Sequence, residues 1–209
     1  MENDMENIKS EVLNCRKCEL WKTRKNPVVG EGSLKARIMF IGEAPGFNED
    51  LQGRPFVGKA GKVLNELIES IGLRREDVYI TNVVKCRPPE NRDPTPEEIE
   101  KCSPYINRQI KIIRPEIICT LGKHSTSYIF KKFGLPHDNI SRIHGKIYRV
   151  KNLFYDLLVI PLYHPAVAVY NADMKSELVE DFKIVKEEYM RLGGLDENSN
   201  TNRREKWIR

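Results

Sequence analysis

Apolar and polar residues alternate along the chain in blocks that predict strands and helices in turn. Short continuous apolar runs have the length of buried strands, and longer segments between them place apolar residues at helical spacing. The strands are expected at residues 36–43, 77–85, 115–122 and 157–163, and the helices at 4–13, 59–71, 123–134 and 173–192. A further helix is expected from Thr95, because Glu98 three residues later completes a capping-box pattern.

This order of elements predicts an α/β fold: a three-layer αβα sandwich with a central, mainly parallel four-stranded sheet. Residues 143–150 are expected to add an extra strand or a hairpin arm. We expect one domain over residues 1–192. Residues 193–209 are polar with a basic end, so the composition predicts a disordered tail there. Trp207 and Ile208 within that tail leave open a docking peptide, for instance for a sliding clamp.

Polar segments rich in glycine, proline or asparagine follow three of the predicted strands. They are GEAPGFNED at 42–50, NVVKCRPPENR at 82–92 and YHPAVAVYN at 163–171. In open α/β sheets, ligands bind at the carboxyl ends of the strands. Because these segments leave strands on the same edge, they predict one shared ligand site.

Net charge and the length of the apolar runs exclude some classes of protein but do not identify one. The 209 residues have a net charge of +5, which permits a polyanionic partner but does not require one. No apolar run reaches the ~18–20 residues that span a bilayer, and the N-terminal residues lack the apolar core of a signal peptide. We therefore expect a cytoplasmic protein with no membrane contact. We also expect it to be a monomer.

Four of the five cysteines fall into two clusters that predict a metal centre. Cys15 and Cys18 are separated by two residues, and Cys86 and Cys102 lie far downstream. In a reducing compartment such sets are more often metal ligands than disulfides. Four thiolates satisfy zinc and a [4Fe–4S] cluster equally, so the spacing leaves both open. Cys119, within an apolar run, is expected to be a buried thiol.

Several motifs together resemble the family 4 uracil-DNA glycosylases, the iron–sulfur enzymes of archaea and thermophilic bacteria. The motifs are GEAPG at 42–46, GRPFVGKAG at 53–61, TNVVKCRPPENR at 81–92 and HPA at 164–166. The resemblance extends over nearly the whole chain. Glu43 favours family 4 over family 5, which typically has an apolar residue there. The resemblance implies a monofunctional enzyme of base excision repair that acts on uracil-containing DNA, and it favours a [4Fe–4S] cluster over zinc.

The resemblance also implies roles for individual residues. Phe56 would stack on a flipped uracil, Asn82 would read its edge, and Glu49 would exclude a C5 methyl group. His164 would donate a hydrogen bond to uracil O2 as negative charge develops, with help from backbone amides near Gly42.

The group that orients the attacking water is open at this stage. Related glycosylases have an aspartate where this chain has Ala44, so Glu43 is the first candidate and Asn91 the second. Two alternatives to the narrow uracil enzyme also remain. One is a broader glycosylase for deaminated bases, and the other is a non-catalytic iron–sulfur module that binds DNA.

Two further expectations concern contacts with DNA. Lys85, Arg87 and Arg92 could bind phosphates. Family relatives often place a leucine wedge after HPA, and here Val169 or Tyr170 would have to substitute.

Overall fold

The computed structural model describes residues 1–193 of the chain. The predicted tail therefore lies outside the described residues, apart from Gly193, and clamp binding by that tail stays a prediction. The helices are α1 (Glu2–Leu13), α2 (Phe47–Gln52), α3 (Lys59–Ser70), α4 (Pro96–Ile113), α5 (Lys123–Phe133), α6 (Ile140–Ile143), α7 (Val167–Tyr170) and α8 (Ala172–Arg191). The strands are β1 (Glu31–Gly32), β2 (Ile38–Gly42), β3 (Tyr79–Asn82), β4 (Ile117–Leu121), β5 (Tyr148–Lys151) and β6 (Asp156–Leu162).

The six strands form one mixed sheet in the order β1-β3-β2-β4-β6-β5. The four central strands, β3, β2, β4 and β6, are parallel to one another, and they are the four that the apolar runs predict. The edge strands β1 and β5 run antiparallel to their neighbours. The fold class is confirmed, and the expected four-stranded sheet is extended by one strand at each edge.

Residues on each strand alternate between two apolar layers, as the pleat of a strand requires. Met39 and Ile41 of β2 face the layer that includes α1, α4 and α5. Ile38 and Phe40 face the opposite layer, where α3 and α8 pack. Helices cover both faces of the sheet, so the αβα sandwich is confirmed. Cys119 is fully buried in the second layer, as expected of a core thiol.

The start of α4 follows the predicted capping box. The Thr95 hydroxyl accepts a hydrogen bond from the Glu98 amide, and the Glu98 carboxylate accepts one from the Thr95 amide. The α4 helix is therefore fixed at the end of the loop that follows β3. Within the described residues, no helix is long and apolar enough to cross a membrane.

Candidate active site

Gly42 and Asn82 end two neighbouring parallel strands and lie side by side in register. A Cβ atom at Gly42 would lie 2.3 Å from the Asn82 amide oxygen and 2.7 Å from Cζ of Phe56. A glycine is thus the residue that lets the amide and the ring approach the end of β2. These three residues converge at the predicted edge of the sheet and form one wall of the candidate site.

Asn82 presents an unsatisfied polar atom in this wall. The residue is 2% exposed, and its amide oxygen is buried without a hydrogen-bond partner among the described residues. The backbone carbonyl of Asn82 accepts a hydrogen bond from the Lys85 ammonium at 2.7 Å. A buried acceptor without a partner is costly, so this oxygen marks a place where a ligand donor can bind.

Phe56 is held in a left-handed backbone conformation, with φ of 49°. The Arg75 guanidinium donates to the carbonyl oxygens of Pro55 and Phe56, and these hydrogen bonds fix the loop between α2 and α3. The Glu49 carboxylate accepts hydrogen bonds from the amides of the two residues that follow Phe56, Val57 at 2.9 Å and Gly58 at 3.0 Å. A φ above zero is rare for an aromatic residue and persists only where neighbours enforce it. The backbone conformation that carries the Phe56 ring is therefore fixed by the fold.

His164 lies beyond the end of β6, and its ring is 5.7 Å from that of Phe56, centroid to centroid. The amide of Ala166 donates to His164 Nδ1 at 3.1 Å, so Nδ1 is an acceptor and the proton is on Nε2. Burial lowers the pKa of His164, with an opposing effect from Glu49. The imidazole is therefore neutral at neutral pH and offers an Nε2–H donor.

Glu43 follows Gly42 directly, and its carbonyl accepts from the Val84 amide at 2.9 Å. Burial raises the pKa of the Glu43 carboxyl, and the nearby Asp93 raises it further, whereas His124 and Lys123 act in the opposite direction. A carboxyl with a raised pKa in a site is a candidate for proton transfer or for orienting water. Ala44, the next residue, packs against the core and has no polar side chain to contribute.

Comparison with known proteins bears on this geometry. A family model described as the uracil DNA glycosylase superfamily matches residues 29–183. A type-4 uracil-DNA glycosylase of Saccharolobus solfataricus is 58% identical over 186 residues, covering 88% of this chain and 86% of the relative. One from Archaeoglobus fulgidus is 53% identical over 183 residues, covering 88% of this chain and 92% of the relative.

The chain belongs to the type-4 uracil-DNA glycosylase family. A type-5 uracil-DNA glycosylase of Pyrobaculum aerophilum is more distant, at 31% identity over 173 residues, with 76% of this chain and 74% of the relative covered. The assignment to family 4, rather than family 5, is therefore confirmed.

Cys15 and Cys18 follow α1, Cys86 lies in the loop after β3, and Cys102 lies on α4. All four pack in the same layer, near enough to influence one another electrostatically. All five cysteines of the chain are free thiols. Burial raises the pKa of Cys18 and Cys86, and the negative charge of neighbouring cysteine thiolates raises it further. Burial raises the pKa of Cys102 to about 12. A cation is needed to hold such thiols as thiolates together.

Two donors point at the sulfurs of this set. The Arg24 guanidinium donates to Cys86 Sγ at 3.0 Å and also to the carbonyl of Cys15 at 3.0 Å. The Lys85 amide donates to Cys102 Sγ at 3.2 Å. Hydrogen bonds of this kind favour thiolate sulfur, so an all-sulfur donor set with these neighbours fits a thiolate-ligated metal centre.

The expected phosphate contact of Lys85 is wrong. Lys85 is 1% exposed, and its ammonium donates to Thr81 Oγ1 at 2.6 Å, to the carbonyl of Asn82, and to Gln109 Oε1 at 2.7 Å. Desolvation lowers its pKa to about 7. The side chain turns inward because these three acceptors are buried, and it supports the Asn82 backbone instead of meeting solvent.

The other predicted loop residues are at the surface. Asn91 is exposed with φ of 56°, and its amide oxygen accepts from Arg87 Nε at 2.7 Å. Arg87 also lies over the Phe47 ring, and Arg92 pairs with Glu98 at 2.7 Å. Orientation of a water by Asn91 and phosphate binding by the two arginines stay predictions.

Sequence reasoning missed two residues that the fold brings to Glu43. His124 Nε2 lies 3.0 Å from Asp93 Oδ2 and 3.9 Å from Glu43 Oε2. His124 lies in the first turn of α5 and Asp93 precedes α4, so neither belongs to a strand-end motif that points to the site. The one available signal was that α5 starts at the carboxyl end of a central strand, where ligand sites form.

Proposed function

We propose that this protein is a monofunctional uracil-DNA glycosylase that hydrolyses the N-glycosidic bond of a flipped-out deoxyuridine and leaves an abasic site. The single observation that carries the proposal is the buried, unpartnered amide oxygen of Asn82, which lies within one pocket wall beside Phe56. Uracil has a donor, N3–H, that an oxygen at this position can accept. The names of its type-4 relatives support the same activity.

Base recognition follows from the polar groups of the pocket. The Asn82 amide accepts from uracil N3–H and donates to O4, while the Phe56 ring stacks on the base. Cytosine presents the opposite pattern at both positions, so it leaves buried groups unpaired. Glu49 remains our candidate for the wall at C5, because its carboxylate is anchored beside the Phe56 loop by the Val57 and Gly58 amides.

Bond cleavage places negative charge on the departing uracil and positive charge on the sugar. The neutral His164 donates its Nε2–H to uracil O2, where part of that negative charge develops. Removal of one such donor typically slows a reaction ~10²–10³-fold. The Glu43 carboxylate orients the attacking water and faces the positive sugar. No lysine is needed as a nucleophile, and the one buried at the site, Lys85, is engaged by three acceptors.

The four thiols Cys15, Cys18, Cys86 and Cys102 are the proposed ligands of a [4Fe–4S] cluster. When bound, the cluster supplies positively charged iron that holds the four thiolates together, and it ties α1 to the loop after β3. Iron and acid-labile sulfide in anaerobically purified protein support this assignment, and zinc without sulfide would contradict it. Cys86→Ser should lower the iron content, whereas Cys119→Ser, at a buried thiol outside the set, should leave it unchanged.

Base release from matched duplexes with one U·G, T·G or hypoxanthine·T pair tests the activity. Release from the U·G duplex alone supports the narrow uracil enzyme, and release of hypoxanthine as well supports the broader glycosylase. No release by protein with a full metal complement would favour the non-catalytic module.

Variants of the pocket then test the roles of its residues. Asn82→Ala should lose discrimination between uracil and cytosine as well as rate. His164→Ala should lose rate about 10²–10³-fold under single-turnover conditions. Wild-type rates in His164→Ala would remove that histidine from the mechanism.

A further inference from the structure

Three titratable side chains from separate elements meet beside the end of β2. Glu43 follows β2, His124 lies in the first turn of α5, and Asp93 lies in the loop before α4. Their nearest ligand atoms all lie within 4.8 Å of one another. The His124 ring contacts Asp93 more closely, with Nε2 to Oδ2 at 3.0 Å, than Glu43, with Nε2 to Oε2 at 3.9 Å.

The backbone around each of these residues is fixed, so the approach is a property of the fold. The Glu43 carbonyl is bound by the Val84 amide, and β2 pairs with β4, which leads directly into α5. Asp93 lies two residues before the Thr95 cap of α4. The three side chains differ in exposure: Glu43 is 24% exposed, His124 32% and Asp93 65%. His124 thus contacts the less exposed carboxylate of Glu43 and the more exposed carboxylate of Asp93.

The charges that act on Glu43 come from two elements. His124 and Lys123 on α5 attract its negative form, and Asp93 on the loop repels it. Burial also disfavours ionisation, and it is the largest of these effects on the Glu43 pKa. The ionised Glu43 that would orient a water therefore needs a compensating positive neighbour, and His124, when protonated, is the nearest side chain of that kind among the described groups.

We propose that His124 is a positioning residue for Glu43, which holds the Glu43 carboxylate ionised and oriented, while Asp93 competes for the same imidazole. This inference rests on the proposed role of Glu43 in orienting the water. It adds His124 and Asp93 to the site, and neither residue belongs to a strand-end motif. His124 acts through Glu43 and is not expected to contact the base.

The two outer residues should have opposite effects on the pH dependence of base release. Without His124, Glu43 loses an attractive charge, so the acid limb of the single-turnover rate should move to higher pH. Without Asp93, a repulsive charge is lost and the limb should move to lower pH. If the acid limb moves by one pH unit, the rate at a fixed pH below the limb changes about tenfold.

The experiment measures single-turnover uracil release from a U·G duplex across the acid range for the full-length wild type, His124→Gln, His124→Lys and Asp93→Asn. His124→Lys restores a positive charge and should recover part of the displacement seen in His124→Gln. Circular dichroism melting and duplex affinity, measured for each variant, separate these effects from misfolding. Both substituted residues are partly exposed, so the variants are expected to fold.

Limbs that stay in place in His124→Gln and Asp93→Asn, or that move in the same direction, would overturn the proposal even if overall rates fall. Glu43→Gln distinguishes this failure from failure of the function. If Glu43→Gln loses the acid limb while the outer variants leave it in place, Glu43 keeps its role and only the His124 proposal fails. If Glu43→Gln retains the wild-type profile, the role of Glu43 and the inference fail together.

Discussion

A single methyl group added at Gly42 should disable the pocket while leaving the fold in place. The added Cβ of Gly42→Ala would lie 2.3 Å from the Asn82 amide oxygen and 2.7 Å from Phe56 Cζ. Ordinary contacts of a Cβ atom begin near 3.4 Å. The amide must therefore move by about 1.1 Å and the ring by about 0.7 Å, which are the differences between these distances.

Neither group can move freely, because Asn82 ends a central strand and Phe56 is held by Arg75. A misplacement of ~1 Å in a reacting site can cost about 10²-fold in rate. Overpacking of this kind typically costs ~1–3 kcal/mol in stability. We therefore expect Gly42→Ala to fold, with a modestly lower melting temperature, and to release uracil about 10²-fold more slowly under single-turnover conditions.

Gly72→Ala is the matched control. It adds the same methyl group at a position with φ of +82° and nothing within 4 Å, so it introduces backbone strain but no contact with the pocket. Its stability should fall to a similar extent while its rate of uracil release stays near that of the wild type. If Gly42→Ala releases uracil within threefold of the wild-type rate, the pocket wall described above is wrong.

Three further results are expected. Arg24→Gln removes a charged donor from Cys86 Sγ, so the proposed cluster should be lost faster under air, as followed by the decay of visible absorption. An unchanged rate of loss would argue against a stabilising role for the contact. Thr95→Ala removes the α4 cap and should lower the free energy of unfolding in urea by about 1 kcal/mol, with no change in m-value. Hydrogen bonding to Arg92 lowers the pKa of Glu98, so this carboxylate stabilises the fold above its ordinary pKa, and the stabilisation is lost as pH falls through the lowered value. The stability difference between wild type and Glu98→Gln should therefore shrink in acid, and a difference independent of pH would contradict the contribution of the ion pair.

The sequence predicted the centre of the fold and the edge of the sheet that holds the site. The apolar runs at β2, β3, β4 and β6 had the short length and the flanking turn residues of buried strands, and their order placed the following loops at one edge of the sheet. The two-residue strand β1 and the short helix α2 were missed, because neither has enough residues for a periodic pattern.

The positions of the motif residues could be predicted, but the directions of their side chains could not. Lys85 stands among basic residues in a proline-rich segment, and only the tertiary fold turns its ammonium toward Gln109 on α4. His124 and Asp93 approach Glu43 through contacts between residues far apart in sequence. Such approaches depend on how helices pack on the sheet, which local spacing does not encode.

The order of the thiols along the chain has a consequence for biosynthesis. All four proposed ligands precede β4, so every residue needed to hold a cluster is synthesised before two of the four parallel strands exist. A nascent chain that binds the proposed cluster can therefore acquire it before β6 has been synthesised. The cluster would then organise α1, β3 and α4 first, and the second half of the sheet would be added to a framework already joined by iron.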